Sequence, residues 1–235
     1  HYVAADSMNP SPPYATWATA AATIQDAVDV AFPGDQIVVT NGVYQTGSRI
    51  VAITGGTNRV AVTKALTIQS VNGAQFTTIN GGKEVGCVYL ANGASLAGFT
   101  LTNGVAVSGG GIYCQSTTVI VSNCVIAGNS SSGSGGGAYS GTLKNCTLTS
   151  NSATNYGGGA AYSTLKNCTL TGNSARYEGG GTYFGTLNNC LVYFNQGPQS
   201  GANYSGDTLN YCCTTPQPSS GTGNISADPQ LASRS

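Results

Sequence analysis

Charge is scarce in this chain. Only 7% of its 235 residues are Asp, Glu, Lys or Arg, with eight basic residues against eight acidic ones, so no long-range field gathers a polyanion and nucleic-acid binding is not expected. Histidine occurs once, at His1. A Ser-His-Asp triad would have to recruit that terminal residue, and a copper site on the terminal amine would lack its second imidazole; His1 reads as a cloning remnant. No C-x-x-C pair announces a zinc site. No apolar run approaches the roughly 20 residues of a membrane-spanning helix, so membrane insertion is not expected. The N-terminus has neither the basic nor the apolar region of a secretion signal, so any export signal is expected to be removed or left out. Nothing implies a cofactor or a bound metal.

Glycine, by contrast, is abundant, with 34 residues, and it recurs in register with apolar residues rather than at random. Cys124, Cys146, Cys168, Cys190 and Cys212 are each 22 residues apart, and the form N-C-x-x-x-x-N repeats in Asn145-Cys146 to Asn151 and Asn167-Cys168 to Asn173. Six steps separate the second Asn from the first of three glycines in Asn129 to Gly135, Asn151 to Gly157 and Asn173 to Gly179, and the same offset joins Asn103 to Gly109. Each unit holds short strand-like runs with Gly, Asn and Ser between them and no helical stretch. In Cys146-Thr147-Leu148-Thr149 the alternation turns Cys and Leu inward and Thr outward. So small a unit cannot enclose a core alone, but coils stacked at about 4.8 Å bury a continuous apolar column.

The expected fold is therefore all-β, a right-handed parallel β-helix of about seven coils over residues 35–213, with a capping α-helix over 16–32 and an irregular tail over 214–235. The coil count extends the Asn series back through Asn103, Asn72 and Asn41, whose wider spacings give the early coils longer loops. Identical Asn side chains in a bend can hydrogen-bond in an axial ladder. A phosphate-cradling role for GGG needs a helix after the loop, and strand residues follow instead. Trp17, Ala20, Ala21, Ile24, Ala27, Val28 and Ala31 fall at helical spacing with Thr19 as N-cap, and Pro33-Gly34 ends the helix before Gln36 to Thr40. That helix is expected to cover the first coil. An open coil at the other end would permit end-to-end self-association.

The segment IQDAVDVAFPGDQIVVTNGVY up to Tyr44 resembles the entrance to pectate-lyase-like right-handed β-helix proteins. The NCTLTGNSA and GGG pattern is similar to the repeat of bacterial surface proteins in that superfamily, and Asn224 to Pro229 resembles a late signature of the choice-of-anchor Q group. The resemblance implies an extracellular or cell-surface location and a chain that is a piece of a longer protein. It also implies a choice of roles, because the superfamily hosts lyases, hydrolases, adhesins and passive stalks.

The residues lean toward a non-catalytic extracellular module, acting as scaffold, adhesin or glycan-contacting stalk. A carbohydrate-active enzyme, a polysaccharide lyase or a glycoside hydrolase, is the first alternative. Asp26, Asp29, Asp35, Glu84, Glu178, Asp207 and Asp228 are scattered and form neither a DxD motif nor a paired-carboxylate spacing. If the chain is an enzyme, the candidates are Lys144 and Lys166, which should stack one above the other with Asn188 next, and Arg176 with Glu178 on one loop. For binding, Tyr89, Tyr113, Tyr139 and Tyr183 share one register, interrupted by Ala161, and their rings could stack on sugar faces; a plain cross-strand ladder explains them equally well. A second outward row, Thr100, Thr102, Thr147, Thr149, Thr169 and Thr171, has the pattern of an ice-binding array, though Val125 and Ala127 interrupt it and Leu191 and Tyr193 end it; Thr also suits any exposed strand. The cysteine column is expected to point inward, with Cys87 and Cys114 off it, and stacked Cα atoms allow a disulfide, best placed from Cys190 to Cys212 or Cys213.

Overall fold

A computed structural model of the chain describes residues 1–52, 54, 56–198 and 201–231; residues 232–235, the end of the expected tail, lie outside the described residues. The chain winds as a parallel β-solenoid whose successive coils add one strand each to the same sheets. The first sheet runs from Gln36–Val39 through Thr67–Ser70, Ser95–Ala97, Ile120–Ser122, Thr142–Lys144, Thr164–Lys166 and Thr186–Asn188 to Thr208–Asn210. The second runs from Gly42–Tyr44 to Cys213–Thr214, and the third from Gly56–Val62 to Tyr204–Ser205, with a four-stranded corner sheet between them. Among the described residues every strand pairing is parallel except Arg49–Val51 on Gly56–Asn58, a hairpin in the long loop of the first coil.

The inward positions form three apolar columns. Ile68, Leu96, Val121, Leu143, Leu165, Leu187 and Leu209 stack from the first sheet, and Ile79, Leu101, Ile126, Leu148, Leu170 and Val192 from the second. The third sheet contributes Val60, Val88 and Ile112, then the smaller Ala138, Ala160 and Thr182. Space taken by smaller side chains there is shared with the corner, where the GGG segments press against the next coil. A Cβ on Gly136 would lie 2.2 Å from the Ser152 carbonyl oxygen, and one on Gly158 2.2 Å from that of Ser174, which leaves glycine as the residue that fits.

Two asparagine ladders fix the corners. The buried one runs Asn129, Asn151, Asn173, Asn195 and Asn203, each Nδ2 donating to the Oδ1 of the next at 2.9–3.1 Å while the same Oδ1 accepts the backbone N–H of the Asn below. The outer one, Asn123, Asn145, Asn167 and Asn189, occupies the exposed bend between the first and second sheets with φ of 52–54°. Asn tolerates that left-handed conformation better than most residues. The expected single series back to Asn41 is corrected: Gly104 fills the register position below Asn129, Asn103 donates to Asn80, and Asn72 pairs only with Asn41. The shared six-residue offset from Asn103 to Gly109 hides this one-position shift, because the later coils carry an extra residue between corner strand and glycines.

The N-terminal plug is shorter than the spacing predicts. The α-helix covers Ile24–Val30, and its N-cap is Thr23, whose Oγ1 accepts from the Asp26 N–H at 3.1 Å; Trp17–Thr19 is a separate 3-10 turn. The break arises because Ala21 must be extended to bridge to Val3, while Tyr2–Val3 adds a strand beside Val38 and Val39. Gln25 completes the cap: its Oε1 accepts the Ala61 N–H at 2.7 Å and its Nε2 reaches the Ala61 carbonyl, so a side-chain amide replaces a missing strand. The His1 ring contacts Asp35 at 2.9 Å and the Pro13 carbonyl at 2.6 Å. The hydrogen bond to His1 and that from the Phe32 N–H hold the Asp35 carboxyl below its ordinary range.

The tail is not wholly irregular. Thr222 accepts from the Tyr211 N–H, Asn224 accepts from the Cys212 N–H, and Ile225 bridges in parallel to Cys213. A fragment of one more coil thus covers part of the C-terminal edge, which the sequence reading leaves open. The buried ladder should dominate the stability of the rod. Replacing Asn151 by Ala leaves the Asn129 backbone N–H without its acceptor and removes one bond each from the Asn129 amide, the Ile126 carbonyl and Asn173 Oδ1, at about 1–3 kcal/mol for a buried group left unsatisfied. Asn151→Ala should therefore lower the urea midpoint far more than Asn145→Ala, whose partners face water; equal midpoints for the two variants would contradict the assignment.

Candidate functional site

The expected tyrosine register is realised on the third sheet, where Tyr89, Tyr113, Tyr139, Ala161 and Tyr183 pair in that order. The rings stack, with centroids 5.8 Å apart from Tyr89 to Tyr113 and 5.1 Å from Tyr113 to Tyr139, at interplanar angles of 17° and 12°. Their availability differs. Tyr89 is 3% exposed, packed with Val51, Ala61 and Ala91 under the hairpin of the first coil, so it supports the row from beneath and cannot contact a ligand. Tyr113 is half-buried against the same cluster.

Beyond Tyr139 the row broadens into a strip that the sequence reading misses. Tyr162 bridges the gap at Ala161, edge-on to Tyr139 at 5.5 Å and to Tyr183 at 5.7 Å. Tyr156, from the loop before the third sheet, stacks on Tyr183 at 4.4 Å and touches Tyr177, while Phe184 packs edge-on to Tyr183. Tyr162 and Phe184 occupy the corner between the third and first sheets with φ of 55° and 50°, where neighbouring coils place Ser140 and Gly206. A bulky residue in the left-handed region costs roughly 1–2 kcal/mol, and these two rings are also 42% and 56% exposed. Strain and exposure of large rings coincide at these two positions, as they also do at Phe194 and Tyr211 on other bends of the coil. The signal in the sequence is the aromatic directly after Ala161 and after Tyr183, at the corner step of each coil.

The polar candidates divide into two groups. Lys144 and Lys166 are register neighbours on the first sheet, followed by Asn188 and Asn210, as the spacing predicts. Arg176 and Glu178 lie on the loop leading to the third sheet: the Arg176 guanidinium sits 5.6 Å over the Tyr177 ring, and Glu178 Oε2 accepts from Ser205 Oγ at 2.7 Å. The lysines and the Arg176–Glu178 pair thus belong to different sectors of the coil. The structure adds a cleft of about 540 Å³ at the other end of the strip, bordered by Thr57, Asn58, Glu84, Val107, Ser108 and Tyr113. It forms because the long loops of the early coils rise beside the third sheet, which the wider early spacings announce only as extra length.

The threonines stand in two ranks on the second sheet, Thr78, Thr100, Val125, Thr147 and Thr169 beside Thr102, Ala127, Thr149 and Thr171, with Leu191 and Tyr193 after them. A further rank, Thr142, Thr164, Thr186 and Thr208, lies on the first sheet. All eight cysteines are free thiols.

Among solved structures the chain is similar to the crystal structure of pectate lyase Pel9A, with a TM-score of 0.57 and 12% identity over 91% of this chain. The fold is a right-handed, pectate-lyase-like parallel β-helix. The chain spans 59% of the length of that lyase, and at such identity the likeness extends to the β-helix alone. No family model and no curated protein matches the chain. No helix of this β-helix is long and apolar enough to cross a membrane, among the described residues.

Asp207 lies beside the C-terminal end of the strip. Burial pushes its carboxyl up to about 7, against the pull of hydrogen bonds donated by the Gly185 N–H, Thr182 Oγ1 and the Ser205 N–H. The folded state thus keeps a proton that the unfolded chain releases near 4, so stability falls as pH rises from about 4 to about 7, by at most about 4 kcal/mol. Thermal melts across that range should show Asp207→Asn removing most of the decline; an unchanged slope in the variant would mean that Asp207 is ionised throughout.

Proposed function

We propose that this β-helix is an extracellular glycan-contacting module whose binding surface is the aromatic strip from Tyr113 to Phe184. The observation that carries the reading is the pair of rings at Tyr162 and Phe184, exposed and held at positive φ in line with Tyr139 and Tyr183. Aromatic faces recognise the C–H faces of pyranose rings by stacking, and each ring contributes about 0.5–1.5 kcal/mol beyond its buried area. Coils rise by about 4.8 Å, close to the length of one sugar unit, so a chain laid along the axis meets a ring at each step. Arg176 and Glu178 beside the strip are of opposite sign and give it no net charge, which suits a neutral polysaccharide better than a polyuronate. Secretion, surface display and the finer likeness to choice-of-anchor Q proteins fit this role and rest on the sequence resemblance.

A second reading, a carbohydrate-active enzyme, is favoured by the fold shared with a pectate lyase and by the cleft with Glu84 beside Tyr113. One experiment separates the two. The purified chain is incubated with neutral and acidic polysaccharides, with and without calcium, and both retention and new reducing or unsaturated ends are measured. Retention on a neutral glycan without products is expected, weakened five- to tenfold by Tyr162→Ala or Tyr183→Ala and unaffected by Lys144→Ala. Products lost with Glu84→Gln would establish the enzyme instead, and retention insensitive to both tyrosines would remove the strip from the account.

A further inference from the structure

The cysteine column plays no part in glycan contact, yet its geometry is more regular than packing requires. Phe99 begins the column, and Cys124, Cys146, Cys168, Cys190 and Cys212 follow it, one per coil at the bend between the first and second sheets. Each sulfur takes the same orientation: the thiols of Cys146, Cys168, Cys190 and Cys212 donate to the carbonyl two residues back at 3.2–3.3 Å. Repeated rotamers on repeated coils set the sulfurs apart by about the coil rise, roughly 4.8 Å. Neighbouring thiols interact along the column, and with burial this pushes Cys146, Cys168 and Cys190 up to about 12.

Two metal–sulfur bonds of about 2.3 Å laid in line span about 4.6 Å, which matches the separation of two stacked sulfurs. No three His, Cys, Asp or Glu side chains converge on a metal position among the described residues, so ions that demand four ligands, such as zinc, are not served. An ion content with two thiolates is. Access exists at one end: a surface cleft of about 410 Å³ is bordered by Cys168, Cys190, Cys212 and Cys213, with Asn189 and Tyr211 at its mouth. On its inner side the column packs into the apolar core, which penalises a net charge there. A divalent ion with two thiolates is neutral, whereas a monovalent ion leaves a charge of −1.

We propose that Cys190 and Cys212 form a two-coordinate site for a thiophilic metal ion, with mercury(II) the best match in span, softness and charge. Binding forms two metal–sulfur bonds and releases the two thiol protons to solvent; no oxidant is involved. Only an ion of high thiolate affinity displaces protons held by buried sulfur.

The test uses the full chain carrying Cys213→Ser, which removes the partly exposed thiol. Titration with mercury(II) chloride should show uptake of one equivalent with a sulfur-to-mercury charge-transfer band, and the melting temperature should rise, because the ion binds the folded state. Adding Cys190→Ala should abolish the band and the rise, while Cys124→Ala, at the far end of the column, should leave both. Zinc chloride should give neither. A melting temperature lowered by mercury, or a band that survives Cys190→Ala, would overturn the site, since the ion would then be reaching thiols by opening the coil. If Cys190→Ala folds poorly, Cys190→Ser provides the isosteric control for the same loss.

Discussion

Each coil of this protein depends on its neighbours for the hydrogen bonds that a strand of three residues cannot make by itself. That constraint, register between successive coils, fixes everything else. A coil of 22 residues repeats its corner at the same place, so the Oδ1 of one Asn accepts both the backbone N–H and the Nδ2 of the Asn one coil below, while its own Nδ2 donates to the Oδ1 of the coil above. The buried amides are fully used, and in an apolar interior a full network is favourable where a broken one is costly. Glycine completes the constraint at the neighbouring step, where one carbonyl after another occupies the space of a Cβ.

A register this strict converts sequence positions into straight lines along the rod. Apolar positions become the three interior columns, and outward positions become ranks of Thr, Lys, Asn or Tyr. Recognition by such a surface is set by what a column displays and by where the coils depart from the rule. Departures are concentrated at the ends: long loops raise a cleft over the first coils, and the corner residues of later coils are aromatic where Ser or Gly would be easier to hold. The strip therefore lies between an open cleft and a charged loop, along the axis of the helix.

Much of the fold was legible because it rests on periodicity. The spacing of Cys124 to Cys212, the inward Leu and outward Thr, and the Tyr register all follow from counting, and the β-pairings reproduce them. What escaped counting depended on non-repeating geometry. Thr19 was the expected cap, and the bridge from Ala21 to Val3 moves the helix start to Thr23. Asn103 matched the later coils in its distance to glycine, yet a one-residue difference put Gly104 in the ladder position. Tyr89 kept its register but lost its exposure to a hairpin formed by distant residues. Of the site, the row was readable and its breadth was not, because Tyr156, Tyr162 and Tyr177 converge only once the coils are stacked.

The central claim is that a neutral glycan lies along the aromatic strip, one sugar unit to a coil. A crystal structure of the chain with a soluble neutral oligosaccharide tests it most directly. The account predicts pyranose rings stacked on Tyr139, Tyr162 and Tyr183, with the chain parallel to the rod axis; an oligosaccharide bound on the Thr ranks or across the Lys144–Lys166 edge, leaving the strip bare, would contradict it.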